Sequence, residues 1–78
     1  MSRILLLGPA REAAGVRDDH IEGETVDEVL RGAVARYGST FEEVLRVSKI
    51  WVNGEPSSRD QAVGPQDEVA VLPPVSGG

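Results

Sequence analysis

The stretch TVDEVLRGAVARYG, residues 25–38, constrains the fold more than any other part of the chain. Thr25 and Glu28 are spaced as a capping box, in which hydroxyl and carboxylate each take up a backbone N–H that lacks a helical partner. Apolar side chains then recur at Val26, Val29, Leu30, Ala33, Val34 and Tyr37. This is the i, i+3, i+4, i+7 spacing of a helix that buries one face. Gly38 predicts the stop, because glycine enters the left-handed conformation without steric cost. Gly32 lies inside the pattern and is expected to cost the helix about 1 kcal/mol relative to alanine. A helix with one apolar face needs a second layer to pack on.

The rest of the sequence supplies that layer as short strands. RILLL (Arg3–Leu7) is an apolar run ended by Gly8-Pro9, which suits a strand. GPAREAAGVRD reads as a loop with one helical turn closed by Gly15, and a weakly marked second strand is expected over Arg17–Glu22. Thr40–Leu45 reads as a short turn of helix. SKIWVNG predicts a strand running into Asn53-Gly54, a hairpin turn whose two residues tolerate positive φ. Pro56 confines the return strand to a stub at a sheet edge. VGPQDE is a turn and EVAVLP the last strand. The expected fold class is α+β, a mixed sheet crossed by one main helix.

Successive strand residues face opposite sides. Ile4, Leu6, Ile50, Val52, Val69 and Val71 are therefore expected on one face, under the helix. Leu5, Leu7, Trp51 and Leu72 are expected on the other, where no predicted element covers them. Such an apolar patch is a candidate partner interface.

Size and charge exclude several functions. A chain of 78 residues buries only about 60% of its unfolded surface, so one small core must suffice and an internal ligand cavity is not expected. Eight basic residues against 13 acidic ones give a formal charge of −5, and the arginines are spread singly from Arg3 to Arg59. That balance argues against nucleic acid and for protein partners with a basic docking surface. With no cysteine, there is no disulfide, thiolate nucleophile or cysteine–metal site. The opening apolar run of four is too short for a signal-peptide core or a membrane span, and the chain reads as cytoplasmic.

Side-chain catalysis is not expected either. His20 is the sole histidine and has no cysteine or second histidine to work with. Asp18-Asp19, Glu42-Glu43 and Asp67-Glu68 are adjacent pairs, which on a strand or a helix do not face each other, and they read as solvated surface. GPAREAAG lacks the Lys-Ser/Thr that follows phosphate-loop glycines. Ser57, Ser58 and Ser76 have no base to activate them.

The remaining reactive group is the end of the chain, VLPPVSGG. A carboxylate becomes an acyl donor once a partner adenylates it. Gly77 and Gly78, with no Cβ, could thread a narrow channel. Pro73-Pro74, stiff and extended, would project the tail from the sheet at reduced entropic cost. Taken alone, SGG would read as a frayed end.

The signature around it is longer. GPQDEVAVLPPVSGG (Gly64–Gly78) resembles the C-terminal signature of the small subunit of molybdopterin synthase, with Asp67, Glu68, Val69, Pro73, Pro74, Val75, Gly77 and Gly78 fitting. Ala10–Glu12 with Gly15 and the Val52-Asn53 pair also match that family, while Gln66 stands where it usually has glycine. The resemblance implies a ubiquitin-like β-grasp domain over residues 1–73 and an extended tail over 74–78. It implies a sulfur carrier and not a free-standing enzyme. A ubiquitin-activating-like adenylyltransferase would use ATP on Gly78, which would then become a thiocarboxylate. The tail, Pro73, Pro74, Val75, Ser76 and Gly77, would enter the large subunit and deliver sulfur to a cyclic pterin precursor. No cofactor or metal would be bound by the chain itself. Leu7 and Leu72, with Leu5 and Trp51, would meet the partners. Carriers for thiamine, cysteine or tRNA thiolation, a ubiquitin-like protein modifier, and a β-grasp binding module without tail chemistry are the alternatives. Polymeric modifier chains could grow through only one internal lysine, Lys49.

Overall fold

The computed structural model describes residues 1–74 and is a mixed five-stranded sheet with three helices packed on one face. The elements run β1 (Ser2–Leu6), α1 (Pro9–Ala14), β2 (Asp18–Ile21), α2 (Val26–Tyr37), α3 (Ser39–Arg46), β3 (Lys49–Val52), β4 (Glu55–Pro56) and β5 (Glu68–Leu72). The strand order is β2-β1-β5-β3-β4, with β1 and β5 parallel and every other pair antiparallel. This is the expected α+β β-grasp. The expected single turn after β1 is a six-residue helix with Pro9 in its first turn, and the turn at 40–45 is a full helix of eight residues.

The predicted helix starts where its cap requires. The Thr25 hydroxyl accepts from the Glu28 N–H at 3.2 Å. The Glu28 carboxylate reaches back to the N–H of Glu24, one residue earlier than a strict capping box, at 3.0 Å. The two N–H groups between them are taken by the loop before β5, Val26 by the Gln61 carbonyl and Asp27 by the Arg59 carbonyl. Gly38 ends the helix at φ 98°, ψ −170°. That is not the left-handed helical stop expected, but an extended conformation of positive φ that glycine alone adopts readily. It turns the chain at once into α3.

The core lies between the helices and the inner face of the sheet. Ile4, Leu6, Val52, Val69 and Val71 are buried there, as parity requires, while Ile50 is half-buried. Val26, Val29, Leu30 and Ala33 of α2 and Phe41 and Leu45 of α3 meet them, with Ala10 and Val63 closing the ends. Tyr37 stands edge-on to Phe41 with ring centroids 5.2 Å apart, and its hydroxyl donates to Asp19 at 2.8 Å. Burial and then that bond push the phenol up to about 12, so it remains a donor. No helix among the described residues is long and apolar enough to cross a membrane.

Gly32 has a positive reason to be glycine. A Cβ there would lie 2.7 Å from Cγ2 of Ile21, a buried, β-branched side chain on β2 that has little rotamer freedom. Gly32→Ala is therefore expected to destabilise by about 1–2 kcal/mol, because overpacking outweighs the gain in helix propensity. Urea unfolding reads this directly, and a stabilised variant would refute the close approach.

Candidate functional site

β5 lies at the centre of the sheet, hydrogen-bonded to β1 on one side and β3 on the other. The chain leaves it at Pro73, half-buried, and Pro74, exposed. Proline has no N–H, so the ladder stops there. The tail thus departs from an anchored central strand. Val75, Ser76, Gly77 and Gly78, four of the predicted site residues, lie outside the described residues.

Among the described residues the outer face of the sheet carries no helix, and register assembles the predicted patch on it. Leu5 pairs with Asp18 and with Ala70, Ala70 with Trp51, and Trp51 with Pro56. One row, Asp18–Leu5–Ala70–Trp51–Pro56, therefore crosses all five strands. Leu72 pairs with Lys49, and the parallel register Leu6–Val71 brings Leu7 level with it. Leu5, Trp51 and Leu72 are half-buried, Leu7 is 38% exposed, and Lys49 is exposed. The structure thus brings Leu7 and Leu72 to the point where the tail departs, with Leu5 and Trp51 deeper in the sheet. Parity already puts Ala70 on this face beside Leu72, but only register sets it between Leu5 and Trp51 and brings Pro56 into the row.

The other end of the face is charged. Arg3 reaches Asp18 at 2.8 Å and Glu68 at 3.6 Å. These pairs are exposed, so they set polarity and contribute little to stability. The face grades from this charged end to the end at Leu7 and Leu72, where Lys49, paired with Leu72, is the charged neighbour in register.

Of the six carboxylates read as solvated surface, Asp18, Glu42 and Glu43 are exposed as expected, while Asp19 and Asp67 are structural. Strand parity sends Asp18 outward to Arg3 and Asp19 inward to α2, where it accepts from Tyr37 and pairs with Arg36 at 3.0 Å. The Tyr37 bond, then the His20 N–H and Arg36, hold Asp19 below the usual carboxylate range. The Ser57 and Ser58 hydroxyls donate within their own loop, and His20 is exposed. Among the described residues no cluster of three metal-ligating side chains occurs.

Asp67 and Asn53 seat the tail-bearing strand. Asn53, at φ 51° in the β3–β4 turn, donates from Nδ2 to Asp67 at 2.9 Å and accepts the Glu68 N–H at 2.9 Å. The other Asp67 oxygen accepts the Gly64 N–H at 2.8 Å. The Asn53 bond and then the Gly64 N–H hold the Asp67 carboxyl below its ordinary range. Its contribution to stability is therefore present above the unfolded value of about 3.9 and is lost as pH falls through the lower folded value. Asn53→Asp keeps the turn but sets two carboxylates against each other. We expect Tm to fall by about 3–8 °C at neutral pH. The deficit should shrink as acid protonates one of the pair and restores a donor. A deficit independent of pH would refute the contact.

Comparison with known proteins finds one family and several relatives of this chain. A family model described as the ThiS family matches residues 4–78. The chain is 34% identical over 79 residues to a molybdopterin synthase sulfur carrier subunit of Arabidopsis thaliana, spanning 97% of this chain and 81% of that protein. Its structure is similar to the solution structure of small archaeal modifier protein 1 from Methanosarcina acetivorans. There the TM-score is 0.87 and the identity 26%, over 99% of this chain and 95% of that one. It is also similar to a putative molybdopterin converting factor, subunit 1, from Pyrococcus furiosus. That match has TM-score 0.82 and 27% identity, over 95% of this chain and 97% of that one.

Proposed function

The chain belongs to the ThiS family of sulfur carriers, and from that premise we propose that it is the sulfur-carrier subunit of a molybdopterin synthase. The observation that carries this reading is where the signature residues sit. Asp67 clamps the turn into β5, Glu68 and Val69 begin the strand, and Pro73-Pro74 take the chain off its centre. The body of the molecule serves to aim one chain end.

The chemistry belongs to the Gly78 carboxylate. A carboxylate oxygen attacks the α-phosphorus of ATP on an activating partner, and pyrophosphate leaves. A sulfide equivalent then adds to the acyl carbon and AMP leaves, giving the thiocarboxylate. Once the tail is inserted into the large subunit, its thiocarboxylate sulfur bonds to a carbon of a cyclic pterin precursor as an oxygen group leaves that carbon. Water then cleaves the acyl–sulfur bond, leaving sulfur on the pterin and restoring the Gly78 carboxylate. In this reading no side chain of the carrier acts as base or nucleophile, and ATP belongs to the activating partner.

Leu7, Leu72, Trp51 and Leu5 dock the partners in this reading. Leu72→Glu sets a carboxylate into an apolar contact, and affinity for the large subunit should fall by about 2–3 kcal/mol, roughly 30–150-fold. Leu72 faces away from the core, so the fold should persist by circular dichroism. Titration calorimetry that found unchanged affinity would remove Leu72 from the interface.

The carrier reading is tested by intact-mass analysis of protein from its native host under non-oxidising conditions. A fraction should be heavier by the exchange of one oxygen for sulfur. The likeness to an archaeal modifier protein favours a second reading, in which Gly78 is joined to lysines of other proteins. Isopeptide-linked adducts in place of the sulfur-bearing species would select it.

A further inference from the structure

Three of the arginines that the sequence scatters, Arg31, Arg46 and Arg59, come together on the helical side, while Arg3 lies on the open sheet face. A groove of about 350 Å³ is lined there by Arg31, Val34, Glu42, Leu45, Arg46 and Arg59. Asp27 fixes two of them, accepting from Nε of Arg31 at 2.6 Å and from Nε of Arg59 at 2.8 Å. A guanidinium has five N–H donors in a rigid fork, so both keep terminal amino groups for a further acceptor. Arg46 enters no ion pair among the described residues. Val34, half-buried, and Leu45, 8% exposed, supply an apolar component. Counting Glu42 and the Asp27 that holds Arg31 and Arg59, three arginines stand against two carboxylates, so this partly apolar groove keeps a net charge of +1 on a chain of net charge −5.

We propose that this groove docks an acidic segment of a partner protein, with a carboxylate on the arginine rim and an adjacent aliphatic side chain against Val34 and Leu45. Charge complementarity selects that occupant. A polyanion such as nucleic acid would meet the acidic remainder of the surface, and a lone phosphate would leave Val34 and Leu45 unused. A segment with one or two carboxylates feels mainly the local field, since longer-range charge is screened beyond about 8–10 Å at ordinary salt. Because the groove and the open face lie on opposite sides of the sheet, both can be occupied together. A carrier engaged through its sheet and tail could still be held by a second protein.

The test uses the full chain labelled with ¹⁵N and a blocked peptide of alternating glutamate and leucine. Saturable amide shifts should appear at Arg31, Val34, Glu42, Leu45, Arg46 and Arg59, and binding should weaken as salt rises. Arg46→Gln, which disturbs no ion pair, should weaken binding roughly tenfold, and adding Arg59→Gln should weaken it further. Shifts at Leu5, Trp51 and Leu72 instead would overturn the proposal. So would the absence of saturable binding, or equal binding of the glutamine-for-glutamate peptide or of inorganic phosphate. A chain lacking Gly78 should bind the peptide normally, so failure here and failure of the carrier reading are separable.

Discussion

Deletion of Gly78 is expected to abolish sulfur loading while leaving the fold intact. If Gly78 is the reacting residue of a tail threaded into a partner, removing it withdraws the carbonyl by up to about 3.3–3.6 Å. Misplacement of a reacting group by about 1 Å can already cost 10²-fold, so loading should drop by at least about that factor. Extending the chain by one bulky residue should fail as well, because it advances the carboxylate and adds a Cβ where a narrow channel must admit the tail. Neither change touches β5, which ends at Leu72, so thermal unfolding should match the parent. The measurement is the mass of the chain after incubation with its adenylyltransferase, ATP and a sulfide source. A truncated or extended chain that is loaded at the parental rate would sink the proposal that Gly78 is the reactive residue.

Phe41→Ala should produce the largest loss of stability. Phe41 is fully buried, in edge contact with Tyr37, and anchors α3 in the core. Truncating a buried phenylalanine costs about 3–5 kcal/mol. A domain of this size has only about 4–12 kcal/mol in total. The variant should be partly unfolded at 37 °C, with a midpoint in urea far below the parent and much weaker near-ultraviolet dichroism from Trp51 and Tyr37. Loss of less than about 1 kcal/mol would mean that α3 contributes little to the core.

Phe41 also shows where reading the sequence stops short. The run from Thr40 to Leu45 is brief enough to pass for one turn of helix, since a two-turn element shows its apolar spacing, Phe41 to Val44 and Leu45, only once. Its depth in the core depends on α2 ending at Gly38 with an abrupt change of direction. Gly32 is a similar case: local propensity counts it as a cost, and only the approach of Ile21 shows why a side chain is not tolerated. Asp19 and Asp67 look like surface charge until β2 and β5 are placed beside their partners.

What the chain determines by itself is what local spacing can encode: the α2 stripe and its Thr25 cap, the Asn53-Gly54 turn, strand parity, and the glycine–proline signature of its end. These depend on residues within a few positions of one another, where backbone geometry fixes which side chains share a face. Tertiary structure decided the rest. It set β5 between β1 and β3, so that Leu5, Ala70 and Trp51 form one row. It clamped Asn53 to Asp67 and brought Arg59 to Asp27 across 32 positions. Such contacts follow from register and loop closure, which bring together residues whose separation along the chain carries no periodic signal.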